Sequence, residues 1–228
     1  MTSTPFNPLD MPNLAESIGN AILTSEPTPL ADVSRFQGAG IYAIYYTGDF
    51  PAYAELGRQN RDGMFRQPIY VGKAVPAGGR RGILVSTTTT ALFSRINEHR
   101  QSVVNAENLN VEDFHVRWLV VEPIWVPLGE TLLITRFQPV WNAIIDGFGN
   151  HDPGGRRRAG INSRWDTLHH GRAWAALSTP RGETPEAIIA EAQEYIRSRA
   201  EALGFQPGPI DLANAEVGDD VLNDVGNR

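Results

Sequence analysis

The sequence predicts a mixed α/β domain. Two short runs rich in isoleucine, tyrosine and valine, Gly40 to Tyr46 and Pro68 to Gly72, are bounded by glycine or proline and read as strands. A third run alternates, with Phe114, Val116, Trp118 and Val120 set against His115 and Arg117 before Leu119 and Val121 make its end apolar on both sides. Between and after these strands, apolar residues recur at helical spacing.

Taken in order, the first element is a short amphipathic helix near Asn13 to Leu23, with Leu14, Ile18 and Ile22 on one side. In the first strand Tyr42 projects with Gly40 and Ile44, while Ile41 and Tyr45 take the other face, so one face is expected in the core and the other at a site. The second strand carries Tyr70 and ends at Gly72, followed by Lys73. The threonines at 87 to 90 can cap a helix whose apolar residues are Leu92, Phe93, Ile96, Val103 and Val104. On that helix Arg95 and His99 are one turn apart, which places a guanidinium and an imidazole where both can converge on one phosphate. A helix from about Leu128 to Phe137 has Glu130, Leu133, Ile134 and Phe137 at i, i+3, i+4 and i+7, so a carboxylate shares the core-facing stripe. A charge there needs a partner or a metal. The last helix is Pro185 to Leu203: Thr184 can cap it, Pro185 suits its first turn, Ile188, Ile189, Ala192, Tyr195, Ile196 and Leu203 form its apolar face, and Gly204 can end it.

The strings Arg35 to Gly48, Ile69 to Gly78, Pro139 to Asn142 and Asp146 to Gly154 resemble the GIY-YIG nuclease superfamily, and within it the type II restriction endonucleases that cut CCGCGG. The likeness spans Arg35 to Trp174, and the spacing of 28 positions from Tyr42 to Tyr70 matches the longer insert of that branch. The resemblance implies a three-stranded antiparallel sheet flanked by helices and a magnesium-dependent, site-specific nuclease acting on double-stranded DNA, with manganese able to substitute. It divides the chain into an N-terminal extension (1–34), a catalytic core (35–145) with an insert (48–67), a DNA-recognition segment with the C-terminal helix (146–204) and an acidic tail (205–228). A palindromic site invites a homodimer with one active site per strand.

Hydrolysing a phosphodiester needs a metal, an activated water, charge stabilisation and a proton for the leaving oxygen. Glu130 is assigned to the magnesium ion, which is content with few protein oxygens. Arg95 suits the charge that develops on the equatorial phosphate oxygens. Tyr42 is assigned to orient or deprotonate the attacking water, although an unperturbed phenol titrates near pH ~10 and only neighbouring cationic charge, from the metal, Arg95 or Lys73, would lower that. Tyr70 and His99 are expected as hydrogen-bond donors to the phosphate, His99 also as a proton relay, and Asn142 as the group that fixes geometry.

Each residue also has a plainer reading. A strand tyrosine is ordinarily packing; Glu130 in the first turn of its helix would complement the helix dipole; Arg95, His99 and Glu98 resemble a solvated face; and Lys73 is equally a loop cation. It is the ordered set that favours chemistry.

The net charge of −6 is unevenly spread. Residues 205–228 hold Asp211, Glu216, Asp219, Asp220 and Asp224 against Arg228, and read as a disordered tail. By contrast Arg156, Arg157, Arg158, Arg164 and Arg172, with His169 and His170, face only Asp166, the basic patch expected at DNA. Arginine reads guanine bidentately and Asp152 or Asp166 would accept from cytosine, whereas Arg80 and Arg81 in a glycine-rich loop suit phosphates. The chain has no cysteine, which excludes disulfides and thiolate-bound zinc and fits a cytoplasmic protein. No stretch has membrane-spanning length. Two other functions fit less well: a repair or mobile-element nuclease of the same superfamily that recognises structure, and a catalytically silent DNA-binding protein.

Overall fold

The computed structural model describes residues 10–76, 89–150 and 160–203. At its centre is an antiparallel sheet formed by β1 (Thr28–Pro29), β2 (Gly40–Tyr46), β3 (Tyr70–Ala74) and β4 (Phe114–Val120), in the order β1-β4-β2-β3. The three longer strands are those expected. The fourth corrects the count: Thr28 and Pro29 pair with Val116 and His115 at the outer edge. Two residues cannot show an alternating pattern, and proline, which lacks an N–H to donate, is tolerated at a sheet edge.

Seven helices flank the sheet among the described residues: α1 (Met11–Leu23), α2 (Ala54–Asn60), α3 (Ala91–Asn105), α4 (Val126–Phe137), α5 (Val140–Ala143), α6 (Arg164–Leu168) and α7 (Pro185–Leu203). They cover both faces. Tyr42, Ile44 and Tyr46 pack with Leu92 and Ile96 of α3, Trp141 of α5, Trp165 of α6 and Ile188 and Ile196 of α7. Ile41, Ala43, Tyr45 and Val71 pack with Ile22 of α1 and Leu133 and Phe137 of α4. Every residue of β2 is therefore buried, and no face of it is an open site as its alternation had suggested.

α3 is capped one residue early, by the Thr89 hydroxyl accepting from Ala91 N at 3.2 Å. α4 begins at Val126, not near Leu128, so its first turn has no acidic residue and Glu130 lies in the second turn, beyond the reach of a simple helix-dipole role. It ends on Gln138, whose φ of 42° is left-handed. The expected insert is anchored to the sheet: Asn60 donates to Tyr46 O (3.0 Å) and Gln67 O (2.8 Å) and accepts from Gln67 N (3.0 Å). α7 runs as expected, with Ile188, Ala192 and Ile196 buried and the Tyr195 hydroxyl donating to Gln138 O at 2.8 Å. Both terminal helices thus pack on their own chain. No described helix is long and apolar enough to cross a membrane. The acidic tail lies outside the described residues.

All six tyrosines are pushed above their ordinary pKa, burial being the largest cause for each, and Tyr46 reaches about 12. An unfolded chain releases these protons near pH ~10 while the folded chain keeps them, so stability present below pH ~10 is lost as pH rises beyond it. Tyrosinate absorbance is expected to grow in one step with loss of far-UV circular dichroism above pH ~10. A gradual phenol titration of the folded protein would contradict the burial.

Candidate active site

The β2–β3 register sets the inner layer of the site. Tyr42 pairs with Gly72, and a Cβ at position 72 would stand 2.3 Å from the Tyr42 hydroxyl, so a residue without a side chain is required there. That hydroxyl is 2.6 Å from His99 Nε2, which α3 brings over the strand. Tyr70 completes the cluster, its ring 6.2 Å from that of Tyr42 and 5.1 Å from that of His99. Tyr42 has no exposed surface and His99 is 1 % exposed. His99 is therefore held behind the phenols instead of reaching outward to a phosphate as the helix spacing suggested.

Arg95 joins this layer to the surface. Its guanidinium hydrogen-bonds both phenols, donates to Gly149 O at 2.7 Å and pairs with Glu98 at 3.0 Å. Burial works against its charge, but Tyr42, Glu98 and Tyr70 outweigh that and raise its pKa. Burial also pushes Tyr42 well above the usual phenol range, with Tyr70 adding to the rise and Arg95 opposing it. The Tyr42 phenol is accordingly protonated at neutral pH, and neighbouring cations do not overcome its desolvation.

Glu130 and Lys73 form a 2.7 Å ion pair, their side chains 18 % and 39 % exposed. Lys73 follows Gly72, so it leaves β3 on the face opposite Tyr70, and α4 packs on that face. The site therefore wraps the edge strand. The Glu130 charge still reaches around it, raising the pKa of both Tyr42 and Tyr70. The charge on the core-facing stripe of α4 thus has the partner it needed.

Asn142 holds the edge strand itself. Its side-chain amide accepts from Val71 N at 2.8 Å and donates to Val71 O at 2.9 Å, completing the outward-facing groups between Tyr70 and Gly72. Asn142→Ala would leave both without their partner, at about 1–3 kcal/mol. A melting temperature lower by roughly 2–12 °C is expected, and an unchanged one would show that the clamp contributes nothing.

The expected DNA-reading patch fares differently. Arg80, Arg81, Arg156, Arg157, Arg158 and Asp152 lie outside the described residues. Three others are corrected as surface groups. His169 is fully buried between Tyr53 (2.9 Å) and Asn108 (2.9 Å), and burial lowers its pKa to about 3, so it stays neutral. Arg172 is 5 % exposed and pairs with buried Asp166. Arg164 bridges α6 to Glu183 and to Glu191 of α7 (2.5 and 2.9 Å), Glu183 being the main cause of its raised pKa. Net positive sequence charge had suggested a patch, but these side chains are taken up by internal partners. His170 remains exposed.

Two contributors were not foreseen. Phe148 stacks on His99 with ring centroids 4.4 Å apart and planes 19° from parallel, and Gly149 supplies the carbonyl that Arg95 grips. Both lie in the string Asp146 to Gly154, whose resemblance to the nuclease family gave neither residue a role.

A sheet whose edge strand is surrounded by tyrosines of β2 and β3, an arginine and a histidine of α3 and a carboxylate of α4 is the arrangement that the resemblance to GIY-YIG nucleases implied. A family model described as the Eco29kI GIY-YIG domain matches residues 34–196, and the chain belongs to that family. It is accordingly an endonuclease domain whose substrate is DNA. The search of curated proteins gave no match.

Proposed function

We propose that the chain is a type II restriction endonuclease that cuts both strands of double-stranded DNA at a GC-rich palindrome, CCGCGG, with magnesium, and acts as a homodimer on that site. The observation that carries this reading is the meeting of Tyr42, Tyr70, Arg95, His99 and Glu130 around one edge strand. The sequence strings around Tyr42, Tyr70, Asn142 and Phe148 support the restriction branch and the recognised site.

The donor set fits magnesium. Glu130 offers a partly exposed carboxylate, and no group of three His, Cys, Asp or Glu assembles among the described residues. Such a site suits an ion that takes one or two protein carboxylates and fills its shell with water and phosphate oxygens. When bound, the ion polarises the phosphate and neutralises developing charge; manganese serves the same purpose. Lys73 holds the Glu130 carboxylate and adds positive charge beside the phosphate.

The protein groups then divide the work. Arg95 and Tyr70 grip the scissile phosphate, and drawing Arg95 away from Gly149 O uncovers the Tyr42 hydroxyl. The attacking water gives a proton to Tyr42 Oη as Tyr42 passes its own to His99 Nε2, so no free phenolate has to form in a site that disfavours one. The water oxygen bonds to phosphorus, the P–O bond to the leaving oxygen breaks, that oxygen takes a proton from bulk water, and the proton stored on His99 passes back through Tyr42 to the hydroxide so formed.

Digestion of unmethylated plasmid with magnesium or with chelator tests this. Discrete metal-dependent fragments ending at CCGCGG are expected. Cutting elsewhere, or only at branched DNA, would reject the restriction assignment, and retardation without cutting would reject catalysis.

A further inference from the structure

The turn that follows α5 carries the two unforeseen contributors, and it is gripped from inside the protein. Arg172 Nη1 donates to Gly147 O at 2.9 Å and Nη2 to Phe148 O at 2.7 Å. The same guanidinium lies 3.4 Å from Asp166 Oδ1 and 4.0 Å above the Trp165 ring. Asp166 is fixed in turn by the Ser163 hydroxyl at 2.6 Å, and Ser163 fits against Gly147, where φ is +104° and a Cβ would fall 2.0 Å from Ser163 Oγ. Next along the turn are Phe148, stacked on His99, and Gly149, whose carbonyl holds Arg95.

We propose that Arg172, anchored by Asp166, is a positioning residue for cleavage, setting the turn at 147–149 and through it the His99 ring and the Arg95 guanidinium. The proposal deepens the nuclease reading and rests on it. Neither Arg172 nor Asp166 touches Tyr42, Tyr70 or Glu130, and neither has been assigned a part in the chemistry. Stability alone is a poor reason for the arrangement. A buried ion pair recovers little more than its desolvation cost, and here the guanidinium Nε has no partner among the described groups. A planar fork is what spans two successive carbonyls while facing a carboxylate, and a lysine ammonium cannot hold all three in that geometry. The two carbonyls belong to residues that flank or carry the ring stacked on His99, so a small shift of the turn moves both the proton acceptor and the phosphate ligand. Misplacement by about 1 Å is worth on the order of 10²-fold in rate.

The test uses the full chain and Arg172→Lys, which keeps the charge opposite Asp166, with Asp166→Asn as the milder variant should the first not fold. Single-turnover cleavage, DNA affinity, thermal melting and the ring resonances of His99 are measured together, with His115 as the internal control. The expected result is a cleavage rate lower by roughly 10²-fold, DNA affinity within about threefold of the parent, a cooperative melt, and His99 resonances displaced while those of His115 stay. Phe148→Leu should lower the rate too, and combining it with Arg172→Lys should cost less than the product of the two effects, since both act on the His99 ring. Parental rate with unmoved His99 resonances would overturn the proposal. So would a rate loss matched by an equal loss of folded protein, or effects of Phe148→Leu and Arg172→Lys that multiply. If the parent protein cuts no DNA, the nuclease reading fails, while displaced His99 resonances still report that Arg172 sets the ring.

Discussion

Replacing Glu130 with alanine is expected to abolish cutting while leaving DNA binding intact. The carboxylate is the acidic side chain whose charge reaches both phenols, it lies in the second turn of α4 and its ion-pair partner among the described residues is Lys73. On the proposed reading its loss removes the protein's hold on the metal, whose polarisation of the phosphate is worth several kcal/mol; at about 4 kcal/mol the cleavage rate falls ~10³-fold. The fold should tolerate the change, because a partly exposed ion pair contributes only about 0–1 kcal/mol. Removing a negative charge near DNA should also leave retardation of labelled duplex equal or stronger. Cleavage at the parental rate would show that the metal is held elsewhere.

The second large effect is expected from Tyr42→Phe. The ring stays, so the packing against Leu92, Ile96 and Trp141 is kept and only the hydroxyl is lost. That hydroxyl is within hydrogen-bonding reach of both His99 and Arg95, and without it the proposed path from water to imidazole is interrupted. Proton transfer by a positioned side chain is worth about 10²–10⁴-fold, and the single-turnover rate should fall within that range. Stability should drop by about 1–3 kcal/mol, because buried His99 loses a partner. The two effects separate in one experiment, since cleavage measured well below the melting temperature removes the stability contribution. A phenylalanine variant that cuts as fast as the parent would leave Tyr42 with packing alone.

Much of this arrangement can be read from residue order, and the parts that cannot have identifiable causes. Strands such as Gly40–Tyr46 announce themselves because an apolar run bounded by glycine has few alternatives, and α7 because its cap, first-turn proline and apolar stripe agree. The edge strand Thr28–Pro29 and the helices Val140–Ala143 and Arg164–Leu168 are too short to show a period, and their shape is imposed by packing. The sequence places Tyr42, Tyr70, Arg95 and His99 together but not in depth. Spacing along α3 puts Arg95 and His99 on one face, yet only the packed turn at Phe148 pushes His99 inward and leaves Arg95 at the boundary. Charge counting fails most clearly at Arg164, His169 and Arg172, because a run of basic residues does not reveal which carbonyls and carboxylates will meet them once folded.

The central claim is that one phosphate fits the edge strand between Arg95 and Glu130. A crystal structure of the protein with uncut CCGCGG duplex and calcium tests it most directly. The account predicts a backbone phosphate against the Arg95 guanidinium and the Tyr70 hydroxyl, with the cation bound by Glu130 and an ordered water facing Tyr42. A duplex seated away from β3, or a cation held by other carboxylates, would contradict it.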